Sequence, residues 1–408
     1  MPSIASKNVT TNNAALAGAA SVQPVLSKGL LLTMSVAAGA GIANLYYNQP
    51  LLDQMIREFA AGDGIVGMVP TATQIGYAIG MLLLVPLGDM YQRRRLTLLF
   101  VFLSAVAMIG AAASVSAGML LVSSFLLGLC NMAPQLLIPF AANLSSQDER
   151  GRVVGVMLSG IFVGVLLSRT IAGFVGAEFG WRIMFAVAAA TMFMLGLALL
   201  KVLPITKPTH SQGYGKLLKS VFDLVRDHQV LREACLFGAT LFAAFMIFWT
   251  SLIHLMVSPQ FDLGPRAVGL YGILGAAAAL LSPIVGKLAD RGIARGVAGA
   301  MIVLTVASFA IFWFGRDSLV WIGVGVLAMD LGVQLAHVSN QSRILHIAAG
   351  AQSRIQTAYM TSYFAGGGVG AAIGSFAWDN WGWAGVCGSA VIVLMVPLIR
   401  FIILPKSK

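Results

Sequence analysis

From residue 28 onward the chain alternates long apolar runs with short polar breaks. Each run is close to the ~20 residues that a helix needs to cross a bilayer. The pattern predicts twelve spans, at 30–52, 64–87, 96–115, 118–143, 153–176, 183–203, 233–257, 266–288, 297–315, 319–341, 355–377 and 385–404, numbered spans 1 to 12 in chain order. A polar linker at 204–231 divides them into an N-terminal six-helix half, 28–203, and a C-terminal six-helix half, 232–408. Residues 1–27 are rich in Ala, Ser, Asn and Thr and carry no apolar run. A disordered cytoplasmic tail is expected there rather than a signal peptide.

The linker stretch "YGKLLKSVFDLVRDH" sets Leu217, Leu218, Val221, Phe222 and Val225 on one helical face, with Lys and Asp opposite. Such a helix suits either the membrane surface or a covering role over the bundle. The two halves also repeat each other at an offset of about 202 residues: "GFVGAEFGW" (173–181) lies over "SFAWDNWGW" (375–383). Small residues recur at every fourth position or so in span 5 (Gly160, Gly164, Ser168, Ala172, Gly176) and in span 11 (Ser362, Gly366, Gly370, Gly374). Small-xxx-small ridges let helices approach closely, and contacts between the two halves are expected along them.

Composition agrees with the pattern. The 408 residues are 58% hydrophobic and 10% charged, against roughly 45–50% and 25% in soluble chains. Cys130, Cys235 and Cys387 lie far apart in apolar runs and read as small core residues. The net charge of +11 is topological rather than a sign of nucleic-acid binding. Of the 26 Lys and Arg residues, 21 fall on one side of the expected spans and 4 on the other (Arg57, Arg182, Arg266 and Arg316). Positive charge stays in the cytoplasm, so both termini are expected inside. The remaining cation, Arg169, lies within span 5.

Polar residues inside the spans form stripes. On span 10, Asp330, Gln334, His337 and Gln341 share a face, with Asn340 on its flank. Asn44, Tyr47 and Asn48 share a face of span 1, as do Asn131 and Gln135 of span 4. Span 11 adds Tyr359 and Tyr363. Such stripes either line a wet solute cavity or make interhelical hydrogen bonds. Asp330 is the one acid deep in a span, where a carboxylate costs roughly 2.5 kcal/mol or more. It is expected to be the proton-carrying group, with His337 as a relay or solute contact. Arg169 lies within about 5 Å of its depth, at ~1.5 Å rise per residue. Arg169 is expected either to pair with Asp330 across the halves or to bond span 1 amides within its own half.

The loop "GKLADRG" (286–292) resembles the signature loop of the major facilitator superfamily. Its counterpart after span 2, "LGDMYQRRR", keeps Asp89, Arg93, Arg94 and Arg95 but has Val85 and Gln92 where glycines are common; "GWR" at 180–182 is a further recurrent feature. The chain looks most like the drug/proton antiporter-type branch, although Ser124 stands where span 4 of many antiporters has arginine. Ser168-Arg169 likewise replaces the Gly-Gly of the span 5 motif. The resemblance implies an all-α membrane protein of twelve transmembrane helices in two six-helix halves. It implies that spans 1, 4, 7 and 10 line a central cavity reached alternately from each side. It also implies that Gly286, Asp290 and Arg291, with Asp89 and Arg93 to Arg95, form cytoplasmic gating loops.

HExxH, GxSxG and P-loop motifs are all absent from the sequence. No enzyme activity, cofactor or metal is expected. The expected function is a proton-coupled secondary active transporter that exports a small organic solute or drug. The alternatives are a proton-coupled importer of a sugar or organic acid and a non-transporting membrane receptor. The expected partners are a small-molecule solute, protons and the lipid bilayer, with no nucleic acid. A monomer in a bacterial inner membrane is expected.

Overall fold

A computed structural model describes residues 26–59, 64–206, 213–275, 294–344, 347 and 351–403. Residues 1–25 of the expected tail lie outside the described residues, as do Gly286, Asp290 and Arg291 of the second loop. Every regular element among the described residues is helical, and no strand occurs. Nine of these helices are long and apolar enough to cross a membrane, ten if a bent pair counts as one.

Span 1 is that bent pair, Lys28–Ala43 and Asn48–Glu58, with an angle of 41° between its parts. Spans 2 to 7 are Val66–Met90, Arg93–Ala112, Ala117–Asn143, Arg150–Phe179, Trp181–Val202 and Gln229–Met256. Of span 8, helix is described over 265–275, and 276–288 lie outside the described residues. Spans 9 and 10 are Ala294–Phe314 and Leu319–Ile344. The last helical run, Gln352–Ile403, turns at Gly382, whose φ of 58° and ψ of −149° are non-helical. Glycine tolerates that left-handed region without a Cβ penalty, and the turn separates spans 11 and 12.

Glycine ridges are close contacts, but their partners differ from those expected. A Cβ on Gly164 would overlap the Gly39 carbonyl, and one on Gly160 would meet Ser35. In span 11, a Cβ on Gly366 or Gly370 would overlap the carbonyls of Ala239 and Ala243. Both ridges therefore seal helices within the same set of six, span 5 to span 1 and span 11 to span 7. The internal repeat accounts for this. Gly39 and Ala239 occupy corresponding places, and so do Gly164 and Gly366, so each set closes on itself by the same backbone approach.

Other residues join the two sets. Ser375 Oγ donates to the Gly67 carbonyl at 2.9 Å, and Thr170 Oγ1 donates to the Gly269 carbonyl at 2.9 Å. Gly368 faces Ile75, and Gly173 faces Pro265 and Gly269. Spans 2 and 11 and spans 5 and 8 thus form the crossings between sets. The linker helix, Tyr214–Asp227, lies against span 7 and the last helical run. Its Val221 is buried, Phe222 is exposed, and the Tyr214 hydroxyl donates to the Leu83 carbonyl at 2.8 Å.

A leucine placed on a backbone seam cannot be absorbed by a rotamer change, and overpacking costs about 1–3 kcal/mol or more. Gly164→Leu and Gly370→Leu are expected to reduce the yield of monodisperse protein in detergent, as read by size-exclusion chromatography. Gly155→Leu, on span 5 with nothing within 4 Å of its Cβ position, is expected to leave the profile unchanged.

Candidate functional site

Two broken helices position the centre of the molecule. Span 1 loses its helical ladder over Asn44 to Tyr47. Span 4 breaks at Asn131 and Met132, and Pro134 then opens the second helix, Ala133–Asn143. Proline has no N–H and fits only the first turn of a helix, so the break falls ahead of it. The two breaks meet. Asn131 Nδ2 donates to the Gly41 carbonyl at 2.6 Å, and a Cβ on Gly41 would strike the Pro134 ring. Irregular backbone at membrane depth persists only where protein groups satisfy it, and here the Asn131 amide does so.

Residues just past the break in span 1 reach across the bundle. Asn48 Nδ2 donates to Thr73 Oγ1 of span 2 at 3.1 Å, and Gln49 Nε2 contacts Met246 Sδ of span 7 at 3.3 Å. Gln49 Oε1 accepts from Arg169 Nε at 2.7 Å. The Arg169 guanidinium is 4.1 Å from the Trp249 ring centroid, 4.9 Å from Tyr46 and 5.2 Å from Phe245. Cation–π contacts of this kind are worth ~0.5–2 kcal/mol each, the more so away from water.

Asp330 is buried beside the Trp249 indole. No ion pair joins it to Arg169 among the described residues. Of the two partners expected for Arg169, the structure provides the span 1 amide, Gln49, and adds Trp249 from span 7. Several buried polar atoms here have no hydrogen-bond partner among the described residues: Asn44 Nδ2, Asn48 Oδ1, Gln74 Nε2 and Oε1, Arg169 Nη2, Asp330 Oδ1 and Gln334 Nε2. An unmade hydrogen bond on a buried group costs ~1–3 kcal/mol. So many orphans in one region mark a place where polar groups await a partner.

Two turns along span 10, His337 is the centre of a second network. Its Nδ1 lies 3.0 Å from the Tyr359 hydroxyl and its Nε2 lies 2.9 Å from Gln341 Nε2. The Tyr363 ring sits 4.6 Å from the imidazole and stacks on Phe242 at 4.1 Å. Span 4 contributes through Gln135, whose Nε2 donates to the Tyr77 hydroxyl at 3.0 Å, and Tyr77 packs edge-on to Phe364. Tyr47 is buried in the break of span 1. The expected stripe residues therefore converge on one interior region, where Asn131 and Gln135 are occupied by protein partners and Asn44 and Gln334 retain free donors.

In the loop after span 2, Asp89 pairs with Arg93 at 2.9 Å, and Arg93 Nε also donates to the Gly88 carbonyl. Arg94 donates to the Leu200 carbonyl at the end of span 6 at 2.6 Å, and Arg95 is exposed.

Pattern reading missed three features. Gln49 directly follows Asn48 of span 1 but falls off the face assigned to Asn44, Tyr47 and Asn48. Trp249 sits in the unbroken apolar run "FMIFWTS", where no polar period draws attention to it. The third is a buried cluster at the ends of spans 7, 9 and 10. Glu233 Oε1 accepts from Arg295 Nε and from Arg343 Nη2, both at 2.9 Å, and Arg343 Nη1 donates to Asn340 Oδ1 at 3.3 Å. Its members occupy three different span edges, so no local spacing reveals it.

A family model described as Major Facilitator Superfamily matches residues 30–371. The chain is 41% identical over 374 residues to an "Uncharacterized transporter YgaY" of Escherichia coli O157:H7, covering 92% of this chain and 95% of that one. It is 32% identical to a "Probable transporter SCO4007" of Streptomyces coelicolor, covering 85% and 81%. Among solved structures, the nucleoside transporter NupG superposes with a TM-score of 0.75 at 15% identity, over 93% of this chain and 99% of that one. That likeness concerns the fold alone.

The Glu233 cluster predicts its own behaviour. Removing one partner of a buried ion pair costs about 3–5 kcal/mol, because the charges left behind stay desolvated. Glu233→Gln, which removes the carboxylate charge that both arginines share, is expected to lower the melting temperature of the purified protein clearly. Replacing the exposed partner in the Arg316–Asp317 pair by Asp317→Asn is expected to leave it nearly unchanged. A Glu233→Gln protein that melts with the unaltered one would show the cluster to be energetically idle.

Proposed function

Because the chain belongs to the major facilitator superfamily, and is therefore a membrane transport protein rather than an enzyme, we propose that it is a proton-coupled secondary active transporter that exports a small organic solute by alternating access. The observation that carries the reading is Asp330, a buried carboxylate that makes no ion pair among the described residues and shares the interior of the bundle with the buried Arg169. Glu233, the other acid buried to this degree among the described residues, is held by two arginines.

In this mechanism Asp330 takes a proton from one side and releases it to the other, and each protonation state favours a different opening of the bundle. His337, held between Tyr359 and Gln341, extends the polar path toward the Glu233 end of span 10. Asn44, Tyr47, Asn48, Gln334 and Tyr363 contribute the walls for the solute. The backbone-sealed helix pairs, 1 with 5 and 7 with 11, move as stiff units, and the crossings between spans 2 and 11 and between 5 and 8 are the places that open. Asp89 and Arg93 hold the first loop in one of the two states. The positive-inside bias of the sequence supports cytoplasmic termini, and the likeness to antiporter-type exporters supports the outward direction.

Asp330→Asn keeps shape and hydrogen bonding while removing titration. In proteoliposomes with an imposed pH gradient, the variant is expected to lose gradient-driven accumulation. Accumulation at the unaltered rate, with unchanged pH dependence, would remove Asp330 as the proton carrier. Solute flow in the same direction as the proton would replace export by import. Asn48→Ala and Tyr47→Ala are expected to change the relative rates for different solutes more than the number of protons moved per solute. A uniform loss across solutes would count against a selective role for span 1.

A further inference from the structure

The orphan atoms around Trp249 point to the charge pattern of the solute. Arg169 Nη2 is a buried donor and Asp330 Oδ1 a buried acceptor, and neither has a hydrogen-bond partner among the described residues. Their side chains are 3% and 8% exposed as whole residues. Both touch the same indole: the guanidinium lies over its face and the carboxylate lies beside its edge. Gln334 Nε2 adds a further free donor.

A buried cation and a buried anion held apart each keep much of their desolvation cost. A solute with one charge would satisfy one of them and leave the other stranded. A neutral solute would satisfy neither with a charge-assisted bond. A solute bearing both signs answers both and brings no net charge into the site. We propose that the transported solute is a zwitterion of the α-amino acid class with an apolar side chain, its carboxylate on Arg169 and its ammonium on Asp330. The proposal rests on the reading of this cluster as the solute site.

A carboxylate and an ammonium on one carbon can each make a charge-assisted hydrogen bond of ~2.8 Å, so one such solute can engage two separate protein groups at once. Tyr46 and Phe245, whose rings flank the guanidinium, offer an apolar wall to the side chain, and the Gln334 amide lies one turn from Asp330 on the same face. Asp330 can hold either a proton or the solute's ammonium but not both. Arrival of the ammonium therefore releases the proton, and the two fluxes run in opposite directions.

The test uses the purified full-length chain in detergent and three families of probes. These are L-leucine, L-phenylalanine and L-tryptophan; their amines isoamylamine, phenethylamine and tryptamine; and their deaminated acids 4-methylpentanoate, 3-phenylpropanoate and 3-indolepropanoate. Ligand-induced thermal shift is measured for each. At least one amino acid is expected to stabilise the protein at concentrations tenfold or more below both of its analogues. Arg169→Gln is expected to abolish the preference of that amino acid over its amine, and Asp330→Asn its preference over the acid. Arg169→Lys retains the charge and is expected to keep the preference in weakened form, which covers the case of a poorly folding Arg169→Gln protein. If no amino acid exceeds both analogues, or if the preference over the amine survives in Arg169→Gln, the proposal is wrong. The pH-gradient assay is separate. Binding preference without proton-driven flux would sink the proton-coupled reading and leave the zwitterion site standing, and the reverse outcome would do the opposite.

Discussion

A guanidinium buried at the centre of the bundle constrains the rest of the structure. Arg169 cannot shed its charge, and taking it out of water costs several kcal/mol unless other groups replace the water. Gln49 from span 1 and Trp249 from span 7 do so, with the Tyr46 and Phe245 rings closing around it. The break in span 1 follows from the same need. Tyr46 lies within the break and Gln49 just beyond it, and a straight helix would carry both along a different path. At the break the Gly41 carbonyl accepts from the Asn44 N–H and also from Asn131 Nδ2, which the break in span 4 presents to it. One buried cation thus ties together spans 1, 4 and 5 of the N-terminal set and span 7 of the C-terminal set.

The fold was largely legible, and the reason is the solvent. Hydrocarbon demands long, self-satisfied helices, so the spans show in hydropathy alone, and the charge asymmetry of their ends repeats at every turn. The small-residue ridges were legible as close contacts, yet their partners were not. A ridge of Gly160, Gly164 and Gly176 states that something approaches, and only the three-dimensional arrangement says that it is Ser35, Gly39 and Leu51 of the same set.

For the site, Asp330, Arg169 and His337 stood out because charge and imidazole are rare in an apolar segment. The groups that hold them did not. Trp249 is apolar by every periodic measure, and its use is the face it turns to Arg169. Gln49 lay one position from residues already singled out, and side-chain direction at a helix break cannot be read from a 3.6-residue period. Glu233, Arg295 and Arg343 were counted as edge charges that set topology, whereas they are buried against one another. Each is unremarkable locally. Their juxtaposition depends on where spans 7, 9 and 10 end in space.

The backbone seam between spans 1 and 5 also has a temporal side. Ser35 Oγ donates to the Val156 carbonyl across 121 residues of sequence. Chains emerge from the ribosome at ~5–20 residues per second, so span 1 waits on the order of ten seconds before its partner exists. Through that interval its small-residue face lacks its final partner, although spans 2 and 4 already reach its amide and its unwound turn. The first span to be made thus keeps one face unsealed while the next three are added, and its biogenesis depends on being retained beside the insertion site until span 5 arrives.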